Sequence, residues 1–147
     1  MELLLIHYYL HPNLLLEENE FLNDLWQYNT SSGIWCWIGG SKLPYEMGTY
    51  GPRGESSEFA APGSRHESFY WKDSIGNFYL YGGLGMGIKG KIFFISTLFI
   101  ASVGGVLSDM WMFNPETLQW TWMSGSYAPN VAVYYGTEEL PGEDLLK

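Results

Sequence analysis

Aromatic residues alternate with other residues in two short stretches near the end of the chain. They occupy every second position of Asp109-Met-Trp-Met-Phe113 and of Trp120-Thr-Trp122. A period of two is that of a β-strand with one packed face. The intervening Asn114-Pro-Glu-Thr117 contains turn formers, because Asn bonds its own backbone and Pro fixes φ. The pattern predicts a β-hairpin whose strands are 107–113 and 118–124.

The same pattern occurs 85 residues earlier without a gap, since Leu22 aligns with Leu107. Residues 22–41 therefore repeat residues 107–126 and predict a second hairpin, with Asn29-Thr-Ser-Ser-Gly33 as its turn. The identical pairs are Asp24/Asp109, Trp26/Trp111, Asn29/Asn114, Trp35/Trp120, Trp37/Trp122, Gly40/Gly125 and Ser41/Ser126, and Tyr50-Gly51 extends the register onto Tyr135-Gly136.

Two more strands are predicted between the hairpins. Segments 42–64 and 84–106 are long connections, the first rich in Gly, Pro and Ser. Between them, 65–71 ends in aromatics and 78–83 ends in Gly82-Gly83, with a turn at 72–77. Together with 107–113 and 118–124 they predict an all-β, four-stranded antiparallel unit.

These residues resemble one repeat of the galactose-oxidase/kelch type. The resemblance is carried by a Pro-Gly-x-Arg motif, a Trp-x-Asp-x-x-Gly-Asn turn, a double glycine and spaced tryptophans: Pro62 to Arg65, Trp71 to Asn77, Gly82, Gly83, Asp109, Trp111, Trp120 and Trp122. Such repeats are four-stranded blades of a β-propeller, which typically has 4–8 of them. The resemblance implies an incomplete propeller.

The resemblance divides the chain into parts. Residues 22–41 are the outer hairpin of a preceding blade, and 42–64 are a long inter-blade loop. Residues 65–126 are a whole blade with an apolar insertion at 91–101, and 127–147 are a truncated lead into another blade. Residues 1–21 are interpreted as a degraded strand leading into the first hairpin. Because a blade buries its faces on its neighbours, we expect this chain to need further blades or self-association.

The segment Lys91–Ala101 departs from the kelch pattern, in which this connection is a polar loop. Three interpretations remain open: an extra β-strand, translated non-coding sequence, or a membrane anchor. Its strongly apolar part is about ten residues, short of the roughly 20 needed to span a bilayer as a helix. A membrane partner is therefore not expected.

Net charge limits the partners. The charge is −9 and there are only seven Lys and Arg, so nucleic acid is not expected. The single cysteine, Cys36, excludes an internal disulfide and a thiolate metal cluster, and the sequence indicates no cofactor. It slightly favours a cytoplasmic location, as does the lack of a recognisable signal peptide at residues 1–21.

A binding site is expected on the face that carries the long connections, because loops on a rigid scaffold carry function. The candidates are Tyr45, Tyr50, Arg53, Arg65 and His66, with Arg65 at the head of the innermost strand and aimed at a central channel. The alternative is that they are ordinary loop residues. Aromatic and Arg surfaces are typical of protein interfaces.

The function predicted is protein–protein interaction or scaffolding without catalysis. The alternative is a piece of a secreted galactose-oxidase-like or glycan-binding propeller, for which Asn29-Thr-Ser31 supplies a glycosylation sequon. The resemblance to galactose oxidase implies copper held by two tyrosines and two histidines, with a cysteine cross-linked to one tyrosine. Cys36 is expected on the strand face opposite the tryptophans, and His66 lacks a second histidine in the blade, so no metal site is predicted.

Overall fold

The computed structural model describes residues 21–88 and 104–132, together with the backbone of strand 2–5. Every regular element in these ranges is a β-strand. The strands are β1 (Glu2–Leu5), β2 (Leu25–Asn29), β3 (Ile34–Gly39), β4 (Ser56–Ser57), β5 (Arg65–His66), β6 (Phe69–Lys72), β7 (Phe78–Gly85), β8 (Gly105–Asn114) and β9 (Gln119–Ser124). The predicted all-β class is confirmed.

The strands form two antiparallel sheets. The first sheet has the order β1-β2-β3, and the second has the order β4-β9-β8-β7-β5, with β6 also paired to β7. β1 supplies the strand that was expected before the first hairpin, whereas residues 6–20 lie outside the described ranges. The insertion 91–101 also lies outside them, so its three interpretations stay open.

The predicted four-stranded unit is present in the second sheet, with two differences. The strand expected at 65–71 is divided into β5 and β6, because Glu67 has a left-handed φ of 57° that interrupts the extended backbone. The connection 42–64, expected to be loop throughout, contains β4, which pairs Ser56 with Thr121 of β9. The short strand β4 thus pairs with the edge of β9 that the hairpin leaves unpaired.

The two hairpins have the same register and the same irregularities. Trp26 faces Trp37 as Trp111 faces Trp122, and both hairpins have a bulge just before that first tryptophan. Left-handed φ values also recur 85 residues apart: 69° and 58° at Gly33 and Leu118, 87° and 82° at Gly40 and Gly125, and 59° and 58° at Tyr45 and Asn130. The internal repeat therefore holds in the backbone as well as in the sequence.

The core lies on the tryptophan side of the second sheet. Alternate residues of β8 are buried, as a strand with one packed face requires. Leu25 and Ile38 of the first hairpin contact this core, so the first sheet packs on that side. The buried cluster comprises Leu25, Ala60, Phe78, Leu80, Trp111, Phe113, Trp120 and Trp122.

The equivalent side of the first sheet is left open by the residues that the structure describes. Trp35 and Trp37 are each 43% exposed, whereas their counterparts Trp120 and Trp122 are 9% exposed. Residue type and register are the same, so the difference comes from what covers each hairpin. Burial of a large aromatic is worth several times the thermal energy, which makes the first hairpin the less stabilised of the two.

Candidate functional site

The carboxylate of Asp109, at the start of the second hairpin, is fully buried and accepts four side-chain hydrogen bonds. Arg65 at the start of β5 pairs with it through two parallel bonds, Nη1 to Oδ1 at 2.7 Å and Nη2 to Oδ2 at 2.8 Å. Tyr50 donates its hydroxyl to Oδ2 at 2.6 Å, and Trp111 Nε1 donates to the same oxygen at 2.7 Å. These bonds join the connection 42–64 to β5 and β8 of the second sheet.

Charge pairing decides the protonation states of this cluster. Burial alone raises the pKa of Asp109, but the hydrogen bonds and charge of Arg65 outweigh it and hold the pKa below its ordinary value. Burial, and then the adjacent Asp109 charge, raise the pKa of Tyr50 well above its ordinary value. Burial lowers the pKa of Arg65, yet its bonds to Asp109 raise it overall. The cluster is therefore an ion pair with a neutral tyrosine at neutral pH.

The Arg65 guanidinium also fixes backbone around it. Nε donates to the carbonyl of Gly63 at 2.9 Å, and Nη1 donates to that of Gly82 at 3.2 Å. Gly82 belongs to the double glycine, and a Cβ on its neighbour Gly83 would lie 2.5 Å from the His66 carbonyl oxygen. Both glycines have positive φ. The double glycine thus permits the close approach of β5 to β7 that places Arg65.

Tyr50 and Arg53 lie over the tryptophans of the second hairpin. The Tyr50 ring is 4.8 Å from that of Trp111 and meets that of Trp122 edge-on at 5.3 Å. The Arg53 guanidinium is 4.9 Å from the Trp122 ring centre, a cation–π distance. The connection 42–64 therefore covers this hairpin with both aromatic and cationic groups.

Tyr45 and His66 form a separate group around Phe21. The Phe21 ring meets Tyr45 edge-on at 5.7 Å and lies 4.8 Å from the His66 ring. Tyr45 is 40% exposed, so this group reaches the surface. It lies near the junction of the two sheets, where the Tyr45 N–H donates to the Phe21 carbonyl.

The five predicted binding residues thus fall into two groups. Tyr45 and His66 are near the surface, whereas Tyr50, Arg53 and Arg65 contact the second hairpin. The expectation that Arg65 is aimed at an open channel is wrong, because this side chain is 1% exposed and is paired with the buried Asp109. Binding of a ligand by any of the five residues stays a prediction.

The first hairpin contains the aspartate and the tryptophan of the same site. Asp24 Oδ2 accepts from Trp26 Nε1 at 2.6 Å, which repeats the Asp109–Trp111 bond. The other oxygen, Oδ1, is buried and has no hydrogen-bond partner among the described residues. Among the described residues, Asp24 thus has the tryptophan partner of the full site but neither the arginine nor the tyrosine. A buried carboxylate oxygen that accepts no hydrogen bond costs free energy, so the first hairpin carries an unfavourable polar group that the second hairpin does not.

Sequence reasoning missed the link between Tyr50, Arg65 and Asp109. These residues are 59 and 44 positions apart, in segments that the pattern assigned to a loop and to different strands. A signal did exist, because Asp109 is a charged residue at a position that the alternation places on the packed face. A buried carboxylate requires a cation and hydrogen-bond donors.

The described residues offer little for cofactor chemistry. No three His, Cys, Asp or Glu side chains converge as metal ligands within 21–88 and 104–132. Cys36 is exposed on β3, where it pairs with Gln27 and alternates with Trp35 and Trp37. In the same ranges no helix could cross a membrane.

Comparison with known proteins gives no relative: neither a protein-family model, nor a curated protein, nor a solved structure matches this chain.

Proposed function

We propose that this chain is a kelch-type segment of a β-propeller that binds other proteins or acts as a scaffold and carries no catalytic site. The observation behind the proposal is that one hairpin occurs twice, covered in the second sheet and open in the first. Repeat architectures bury each unit against its neighbours, and a unit with one side left open can offer that surface to another protein.

The stacking of the sheets supports this architecture. Leu25 and Ile38 of the first sheet pack on the tryptophan side of the second, so each sheet contributes a different side to the contact. A contact between unlike sides can be repeated in the same direction, as in a propeller or a solenoid. Within the second sheet, β6, β7, β8 and β9 pair in chain order as an antiparallel meander, which is the strand order that the proposed blade requires.

The long-connection face supports the position of the proposed binding site. The Gly48 N–H donates to the Gly87 carbonyl at 2.9 Å, so the connections that follow the first hairpin and β7 lie side by side. The short turn at 72–77 connects β6 to β7 at their other ends, where Ile75 is 84% exposed. Tyr45 beside Phe21 and His66 then gives the long-connection face an aromatic surface, of the kind enriched in protein interfaces.

Site-specific photo-crosslinking tests this function. A photoreactive phenylalanine is placed at position 45 of the full chain, and a matched control carries it at position 75 on the opposite turn. We expect position 45 to capture a protein partner that position 75 does not, and Tyr45→Ser to reduce the affinity of the purified partner at least tenfold. Equal capture at both positions, or unchanged affinity, would contradict the proposal.

A further inference from the structure

The second hairpin shows what a complete cover for this surface contains. Residues 46–65 lie over it and provide the Tyr50 hydroxyl and the Arg65 guanidinium to Asp109. The same stretch adds β4 to the free edge of β9 and places Arg53 on Trp122. One extended segment therefore supplies a hydrogen-bond donor, a cation and a strand.

The first hairpin has the receiving half of the ion pair and of the strand pairing, whereas the ring of Trp37 already has the Lys42 ammonium 5.5 Å from its centre. Within the described part of the chain, Asp24 Oδ1 is buried and accepts no hydrogen bond, whereas the equivalent oxygen of Asp109 accepts one from Arg65. Among the described strands, β3 pairs with β2 alone, whereas its counterpart β9 pairs with both β8 and β4. Trp35 and Trp37 are exposed where Trp120 and Trp122 are covered.

We propose that this open surface, defined by Asp24, Trp26, Trp35 and Trp37, binds a segment of another polypeptide that carries a tyrosine and an arginine spaced like Tyr50 and Arg65. The segment adds a short strand to β3 next to Trp35 and Cys36, the counterparts of the two β9 residues that pair with β4. This inference rests on the internal repeat and does not require the propeller assignment or the long-connection site.

The carboxylate is the reason that the partner carries a cation. An apolar cover would take Asp24 further out of water with no opposite charge beside it, which is unfavourable for an ionised carboxylate. A guanidinium satisfies both oxygens through parallel bonds, as Arg65 does at Asp109. The net charge of −9 further favours a cationic segment.

A second copy of this chain is the poorer occupant. The arginines of the sequence are Arg53 and Arg65. Arg53 lies on Trp122 and Arg65 is buried against Asp109, so both are engaged within their own chain. A different protein is therefore the expected source of the segment, by the strand-addition mode of peptide recognition.

A synthetic peptide of residues 46–66 is the probe, because it has the chemistry of the known cover. The peptide is labelled with fluorescein and titrated with the full chain by fluorescence anisotropy. We expect saturable binding that weakens at least tenfold with Asp24→Asn in the chain. Arg65→Gln in the peptide is expected to weaken it at least tenfold, and Tyr50→Phe by a few-fold.

Two controls separate this site from other binding. Asp73→Asn removes a carboxylate from the 72–77 turn and should leave the affinity unchanged, while Trp37→Ser should reduce it without altering Asp24. Peptide binding that is the same for wild type and Asp24→Asn would overturn the proposal, since it would place the peptide at the Asp109 site or at no defined site.

Sedimentation of the chain, with and without the peptide, tests whether a second copy or another segment of the same chain occupies the surface instead. We expect one peptide to bind one chain, whose first hairpin is accessible. Self-association that Trp37→Ser abolishes and that excludes the peptide would assign the surface to a second copy and overturn the proposal. A peptide that binds only after removal of residues 133–147 would assign it to that segment of the same chain, with the same consequence. None of these results bears on crosslinking at position 45.

Discussion

Replacement of Arg65 by methionine is the sharpest test of how the second sheet is stabilised. Methionine keeps much of the apolar stem and removes the guanidinium. Two charge-assisted bonds to Asp109 are lost, along with donors to the carbonyls of Gly63 and Gly82. Charged hydrogen bonds are worth about 1.5–3 kcal/mol each, and breaking a buried ion pair costs about 3–5 kcal/mol. We expect the free energy of unfolding to fall by about 3–5 kcal/mol.

The dependence on pH gives this prediction a second signature. In the wild type the pKa of Asp109 lies below its unfolded value, so the carboxylate stabilises the fold above about pH 4 and this contribution is lost as pH falls through the lowered pKa. Without Arg65, burial raises the pKa of Asp109 above the unfolded value. The folded variant then gains stability as pH falls, and the difference from wild type narrows between pH 7 and pH 4.

Urea unfolding followed by tryptophan fluorescence measures both effects. Lys72→Met is the matched control, because it removes an exposed cation at the end of β6 and should change stability by less than about 0.5 kcal/mol. Arg65→Met with Asp109→Asn should recover part of the loss, since no buried charge then remains. A cost below about 1 kcal/mol, or a cost that is equal at pH 7 and pH 4.5, would refute the reasoning.

Three further predictions use the repeat as its own control, each checked by urea unfolding. Leu118 has a φ of 58° where the first hairpin has Gly33, so Leu118→Gly should stabilise by about 0.5–1 kcal/mol, and Gly33→Leu should destabilise by about 1–2 kcal/mol; equal signs would contradict this. Gly125→Ala should destabilise by more than about 2 kcal/mol, because its Cβ would collide with the Ser108 carbonyl oxygen and its φ is 82°; a neutral result would contradict this close approach of the two strands. Asn114→Ala should cost about 1 kcal/mol, because the Asn114 side chain accepts bonds from Glu116 and Thr117 N–H, and Asn114→Asp should restore most of the loss.

The hairpins could be predicted from the sequence because each depends on local information. Alternating tryptophans fix the strand period, and Asn114 or Asn29 at the turn bonds its own backbone. A repeat with no gap then reports that the same local structure occurs twice. The predicted bounds differ from the observed strands by no more than two residues at β8, since hydrogen bonding beyond the aromatic stretch extends the pairing.

The remaining structure depends on contacts between distant segments. Ser56 and Ser57 have no hydrophobic pattern, so β4 forms only because the edge of β9 is available. The break at Glu67 follows from a positive φ that glutamate does not favour. The site itself needed the fold, because a loop tyrosine and a strand arginine meet at Asp109 only when the connection 42–64 crosses the second hairpin.

The difference in cover between the two hairpins is tested most directly by ¹⁹F NMR of fluorotryptophan-labelled protein with a soluble paramagnetic relaxation agent. Each signal is assigned by a single Trp→Phe substitution. We predict strong relaxation enhancement for Trp35 and Trp37 and protection of Trp111, Trp120 and Trp122, with Trp71 as an exposed reference in the second sheet. Similar enhancement for Trp37 and Trp122 would contradict the account of one covered and one open copy.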